Sequence, residues 1–171
     1  METILDIIRR FRPADGGVLR IDSTAGEPFA AVDPRSLRVE VSAGASAHLV
    51  VLHTAPDLSS LTLELAEGAQ LVLTELFVAE AFAEVAVKQA ARSRCRLTTV
   101  QLSSANASYR IDLDGEDAEN ELGGVFLAAD SEHCVVKLRT AHNAADCRSD
   151  SYVKGVAGGQ AVGEFLSLIH I

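Results

Sequence analysis

The chain has 171 residues, a formal net charge of −9, 48% hydrophobic residues, only 5% aromatics and no Trp. This length and apolar share suit one domain with its own core, built mainly from Val, Leu, Ile and Ala. The negative balance excludes a nucleic-acid surface, and no apolar run approaches the ~18 residues of a membrane-crossing helix.

Residues 1–12 place Ile4, Leu5, Ile8 and Phe11 on one helical face, which predicts a short N-terminal helix. Pro13 and the Asp15-Gly16-Gly17 group end it. Glu2 and Asp6 stand where a secretory signal would carry basic residues, so a cytoplasmic location is the expectation. Between Val18 and Pro34, short apolar pieces broken by Gly26, Pro28 and Pro34 predict an irregular lead-in with one or two short strands. Helix and lead-in together occupy residues 1–35.

From residue 36 the texture becomes strict alternation. Leu37, Val39 and Val41 point one way, and Arg38, Glu40 and Ser42 the other; Gly44-Ala45 then turns the chain into His48-Leu49-Val50-Val51-Leu52. The pattern recurs with Leu61, Leu63 and Leu65, a turn at Gly68-Ala69, and Leu71-Val72-Leu73. A third copy has Val85 and Val87, a turn at Ala90-Ala91, then Cys95, Leu97 and Thr99. A fourth has Ile111 and Leu113, a turn at Gly115, then Leu122 and Val125. Turns at 44, 68, 90 and 115 are separated by 24, 22 and 25 residues. Period-2 alternation inside such a repeat predicts an all-β solenoid, in which each copy buries its apolar face only when a neighbour stacks on it. An antiparallel sandwich is the competing architecture, and the missing Asn-Gly hairpin signals count against it.

The last copies carry the most specific text. His142-Asn143-Ala144-Ala145-Asp146-Cys147-Arg148-Ser149 runs into Tyr152-Val153-Lys154-Gly155-Val156, an H-x4-C-x-S segment followed by Y-x-K-G-V. Upstream stand Tyr109-Arg110-Ile111-Asp112-Leu113-Asp114-Gly115 and Leu122-Gly123-Gly124-Val125-Phe126. Together they resemble the SufB/SufD family of iron–sulfur cluster assembly proteins, and the R-I-D-L-x-G rung resembles its SufD branch. The resemblance runs from about residue 36 to 165 and is most specific over 109–155. It implies a right-handed parallel β-helix, the SufBD-like core, over residues 36–165. It also implies a non-enzymatic scaffold that pairs with a SufB-like subunit and engages a SufC-like ATPase, with a nascent Fe–S cluster on the full complex. His142, Cys147, Ser149, Lys154 and Gly155 are its motif residues here, without an assigned role. The family's K-C-S-H-G region and SufC-gripping helices lie beyond this stretch, so this chain is expected to bind no cofactor itself. A SufB-type subunit and a bactofilin-like structural β-helix are the alternatives.

Read for chemistry, the residues point the same way. Three cysteines, Cys95, Cys134 and Cys147, suit reduced thiols better than a disulfide framework. His133-Cys134 and His142/Cys147 offer soft-metal donors but lack paired zinc-ligand spacing, so no metal site is expected. Lys154 has no phosphate loop before it, and Gly158-Gly159 reads as a turn. The acids Asp112, Asp114, Glu116, Asp117 and Glu119, and Asp146 with Asp150, read as a solvated face rather than acid–base machinery. Ser103-Ser104 and Ser149-Asp150-Ser151 show no positioned base, so no catalytic residue is expected. His48 and His53 flank a strand and are expected near a turn, His48 on the rim.

Leu166-Ser167-Leu168-Ile169-His170-Ile171 follows a polar Gly/Ala-rich stretch abruptly. An adapter common in transposase-based sequencing translates to these six residues, so 166–171 is expected to be a fusion tail on a C-terminally truncated fragment.

Overall fold

The computed structural model describes residues 3, 6, 8, 10–14 and 17–171. Fourteen strands follow in chain order: β1 (Arg12–Pro13), β2 (Gly17–Ile21), β3 (Phe29–Val32), β4 (Ser36–Val41), β5 (Ser46–His53), β6 (Leu58–Leu65), β7 (Gln70–Phe77), β8 (Ala81–Gln89), β9 (Arg94–Gln101), β10 (Ala105–Leu113), β11 (Glu119–Ala128), β12 (His133–His142), β13 (Arg148–Ala157) and β14 (Val162–His170). Odd strands form one seven-stranded sheet and even strands another, each in strict sequential order. Every pairing is parallel. The chain therefore winds as a parallel β-helix, laying one strand on each sheet per turn, and the antiparallel sandwich is ruled out.

Register explains why these sequences stack. Leu37, Leu61, Val85 and Tyr109 lie in one column of the even sheet. Leu49, Leu73, Leu97 and Leu122 lie in one column of the odd sheet. All eight are at most 2% exposed and belong to a single core cluster between the sheets. Each such side chain contributes about 1.5–3 kcal/mol through burial. A one-residue slip would turn the whole column outward, so the alternation fixes the register.

The corners differ in detail from the sequence reading. Residues of positive φ stack at Gly44, Gly68, Arg92, Asp117 and Asp146. Each of the first four donates its N–H to the carbonyl just before its successor, to Glu67, Ala91, Glu116 and Ala145 in turn. The third and fourth turns thus centre two residues beyond Ala90 and Gly115. Gly115 is small for another reason: a β-carbon there would overlap the backbone of Ala91 one rung below.

The predicted N-terminal helix falls largely on residues outside those described. Thr3 and Asp6 exchange hydrogen bonds in the manner of a capping box, Thr3 N–H to Asp6 Oδ2 at 3.0 Å and Asp6 N–H to Thr3 Oγ1 at 3.2 Å. Ile8 is buried on the outside of the odd sheet against Ala30, Val50 and Leu52. The lead-in supplies β2 and β3, which pair with β4 and β5, and the two-residue β1 pairs with β3 at the edge of the odd sheet. At the other end, Val162–His170 lies as β14 along β12 with every side chain exposed. No helix among the described residues is long and apolar enough to cross a membrane.

Candidate functional site

The family-motif residues gather on the last rungs, and most of them are explained by packing. Gly123, Gly124, Val125 and Phe126 lie in register with Tyr152, Val153, Lys154 and Gly155. Large and small alternate across that pairing. Tyr152 lies over Gly123, Val153 fills the space at Gly124, and a β-carbon on Gly155 or Gly163 would overlap the Phe126 ring. Gly155 is thus the hole that receives an aromatic knob from the rung below. Lys154 points outward and is exposed.

His142 and Ser149 do meet. His142 Nε2 is 2.8 Å from Ser149 Oγ, across the corner between β12 and β13. The sequence showed no histidine positioned at Ser149, and the corner brings His142 to it. In the rungs below, Gln89 Nε2 donates to the carbonyl of Glu119 at 2.9 Å and Asn120 Nδ2 donates to Gln89 Oε1 at 3.1 Å. Cys147 donates to the carbonyl of Gly115 at 3.3 Å and packs against the core.

Two of the thiols, Cys95 and Cys134, are poor ligands as they stand. Burial pushes Cys95 up to about 12. Burial, then the Glu132 charge, raises Cys134, which donates to the carbonyl of Ser103 at 3.3 Å. A metal ligand or nucleophile must be the thiolate, which these surroundings disfavour. Among the described residues no three His, Cys, Asp or Glu side chains converge on a point that would hold a metal.

The acids scatter in the same way. Asp112 lies 3.4 Å from Arg110, Asp114 accepts from Asn143 Nδ2 at 2.7 Å, and Glu119 pairs with Arg94 at 3.3 Å. Asp117 and Asp146 are corner residues. Ser104 Oγ accepts the N–H of His133 at 3.2 Å. His48 is half-buried on the outer face, 3.1 Å from Thr74 Oγ1, and desolvation lowers its pKa.

His53 is the residue the sequence placed least well. It ends β5 near a corner, but it points inward and is 1% exposed. Its Nε2 is 3.1 Å from Glu75 Oε1, and Ser59 Oγ is 3.3 Å from its Nδ1. Tyr109 donates its hydroxyl to Glu75 Oε2 at 2.6 Å, and Phe77 stacks on the imidazole with centroids 4.2 Å apart. Acting as a double acceptor, the carboxylate assigns the imidazole proton to Nε2 and leaves Nδ1 to accept from Ser59. A Ser–His–Glu chain has the connectivity of a hydrolytic triad. Yet Ser59 is 2% exposed and Glu75 is fully buried, so no acyl substrate reaches the hydroxyl. The chain is a core network that offsets the cost of burying a carboxylate. One signal for it exists in the sequence: Glu75 occupies the apolar phase of Leu71, Leu73 and Phe77.

Compared with protein-family models, residues 23–171 match the SUF system FeS cluster assembly SufBD core domain. No curated protein sequence matches the chain. The matched span takes in twelve of the fourteen strands, β3 to β14, together with the Tyr109 and His142 rungs that carry the sequence resemblance. The stacked parallel rungs, the interlocked Gly-Gly and Lys-Gly motifs and this match agree: the chain belongs to the SufBD core family, whose role is iron–sulfur cluster assembly in the SUF system.

Proposed function

We propose that the chain is a SufD-like scaffold subunit, a non-enzymatic component that pairs with a SufB-like protein and engages a SufC-like ATPase in the cytoplasm. The nascent Fe–S cluster is the cargo of the full complex, and this chain holds no resident cofactor. One observation carries the reading. The rung from Arg110 to Phe126, which resembles the SufD branch, lies directly beneath the Y-x-K-G-V rung, and the two interlock side chain by side chain. Supporting it, the interior thiols Cys95 and Cys134 are buried and held as thiols. Such a body suits a structural partner better than a ligand donor.

A SufB-type subunit is the second reading. It is favoured by Cys147, the least buried thiol, which lies in the same corner segment as His142 and Ser149.

Co-expression with SufB-like and SufC-like proteins, followed by anaerobic reconstitution and assay of bound iron and sulfide, tests both readings. A SufD-like subunit co-purifies with both proteins, and cluster yield is unchanged in the Cys95→Ser, Cys134→Ser and Cys147→Ser variants. Loss of cluster in Cys147→Ser alone moves the chain to the SufB type. Failure to co-purify sinks the scaffold reading.

A further inference from the structure

The two outer faces of the solenoid differ in kind. The even sheet is dressed in charge, with Arg20, Arg38, Glu40 and Glu64 joined by contacts of 2.7–2.9 Å. The odd sheet instead carries an apolar stripe along the C-terminal halves of its strands. Leu52, Leu76, Val100, Val125 and Lys154 form one column of it in register, with Leu127 and Val156 paired alongside. The chain covers the first part of this stripe itself, where Ile8 packs on Ala30, Val50 and Leu52 with Phe11 and Leu76 at the margin. Further along the cover stops. Val125 is 46% exposed, Leu127 56%, Tyr152 53% and Val156 64%. Lys154 lies at the end of the column, exposed and with no ion pair among the described residues.

We propose that the uncovered half of this stripe, Val100, Val125, Leu127, Tyr152 and Val156, is a docking site for an amphipathic helix of a partner protein, with Lys154 taking a carboxylate on that helix. The occupant follows from three observations. The site continues an apolar surface on which the chain's own Ile8 and Phe11, three residues apart, already sit. Its length is three rungs, ~14 Å at the usual strand spacing, which matches about nine or ten helical residues. A handful of side chains falls well short of the ~800 Å² per partner that a stable dimer buries, so a second copy packed face to face is the poorer fit. The lone cation at the stripe's end adds a directional contact, since a partly desolvated Lys–carboxylate pair fixes which way the helix lies. This inference does not depend on whether the chain is SufD-like or SufB-like.

A fluorescent peptide of residues 1–12, added in trans to the full chain, is the probe, read by anisotropy. Expected is saturable binding that weakens at least about tenfold in Leu127→Asp. Lys154→Glu weakens it several-fold, and added salt removes that difference. Melting curves check that the variants are folded, and Tyr152→Ser replaces Leu127→Asp should the latter fail. No binding overturns the proposal. So does binding retained in both variants, which puts the peptide over the first rungs. Self-association of the chain that Leu127→Asp abolishes assigns the stripe to a second copy and overturns it as well.

Discussion

At the scale of single residues the core's polar groups dominate, because a buried group without its partner costs more than the bond itself contributes. Glu75 accepts from both His53 and Tyr109 in a fully buried position. Glu75→Leu leaves an imidazole N–H and a phenol unsatisfied, and the expected loss is about 3–5 kcal/mol in urea denaturation. Replacing the network whole, as His53→Leu/Glu75→Leu/Tyr109→Phe, should recover most of that loss. A triple variant as unstable as the single one would show that packing, not polarity, is at stake. Alkali tests the same interior. Burial pushes Cys95 up to about 12, and burial followed by the Glu75 charge raises Tyr109 well above its ordinary value. Both groups keep their protons in the folded state and release them sooner in the unfolded chain. Their contribution is therefore complete below the unfolded thiol pKa of about 8.5 and is lost as pH rises through it toward 12. The urea midpoint should fall between pH 8 and pH 11, and Cys95→Ala should fall less steeply. Equal slopes for the two proteins would remove the thiol from the account.

At the scale of elements, corners and interlocking rungs decide which rung follows which. The corner stack puts Gly44 and Gly68 at φ of 69° and 66°, but Asp117 and Asp146 both at 56°. A β-carbon on Gly44 meets nothing within 4 Å, so Gly44→Ala is expected to cost about 1–2 kcal/mol for the left-handed backbone alone. Asp146→Gly should gain up to about 1 kcal/mol, and thermal melting of the pair reads both signs. On the last rungs, Gly155→Val drives a side chain into the Phe126 ring. Overpacking of that kind costs about 1–3 kcal/mol, and Phe126→Ala in the same chain should relieve it. Additive losses would mean that the two positions do not interlock. These contrasts also show what the sequence made legible. Alternation at Leu37, Leu61 and Val85 marked strands, phase and repeat, because burial on one face has period 2 whatever the neighbours are. The corner positions were legible only where Gly marks them; Arg92 and Asp117 have the same φ sign without the signature residue. Contacts across a rung or a corner, such as His53 with Glu75 or His142 with Ser149, were out of reach. They depend on the β5–β7 register, which brings together residues 22 apart, in one case and on a corner's width in the other.

At the scale of the whole molecule, each rung is stabilised by the rung on either side, so the terminal strands are the exception. β13 pairs only with β11, and β14 only with β12. All nine residues of β14 are exposed, Leu168 at 61% and Ile169 at 48% among them. An unpaired parallel edge over apolar side chains is a template for another strand. In a solenoid the terminal repeat needs a polar cap to stay soluble. Produced as these 171 residues alone, the polypeptide is therefore expected to associate end to end as concentration rises, despite a net charge of −9 that opposes assembly at low salt. Added salt should screen that repulsion and promote association. The outward-facing donors of β14 can be identified. Val162 gives its N–H inward, to Glu132, so in a parallel strand Ser167 is among those that turn theirs outward. Ser167→Pro removes one outward donor without touching the ladder to β12, and it should shift the association midpoint to higher concentration in light scattering. A sharp monomer with cooperative melting across that concentration range would show instead that the open rung closes on itself. Association unchanged by Ser167→Pro would move the contact to β13 or to the outer faces.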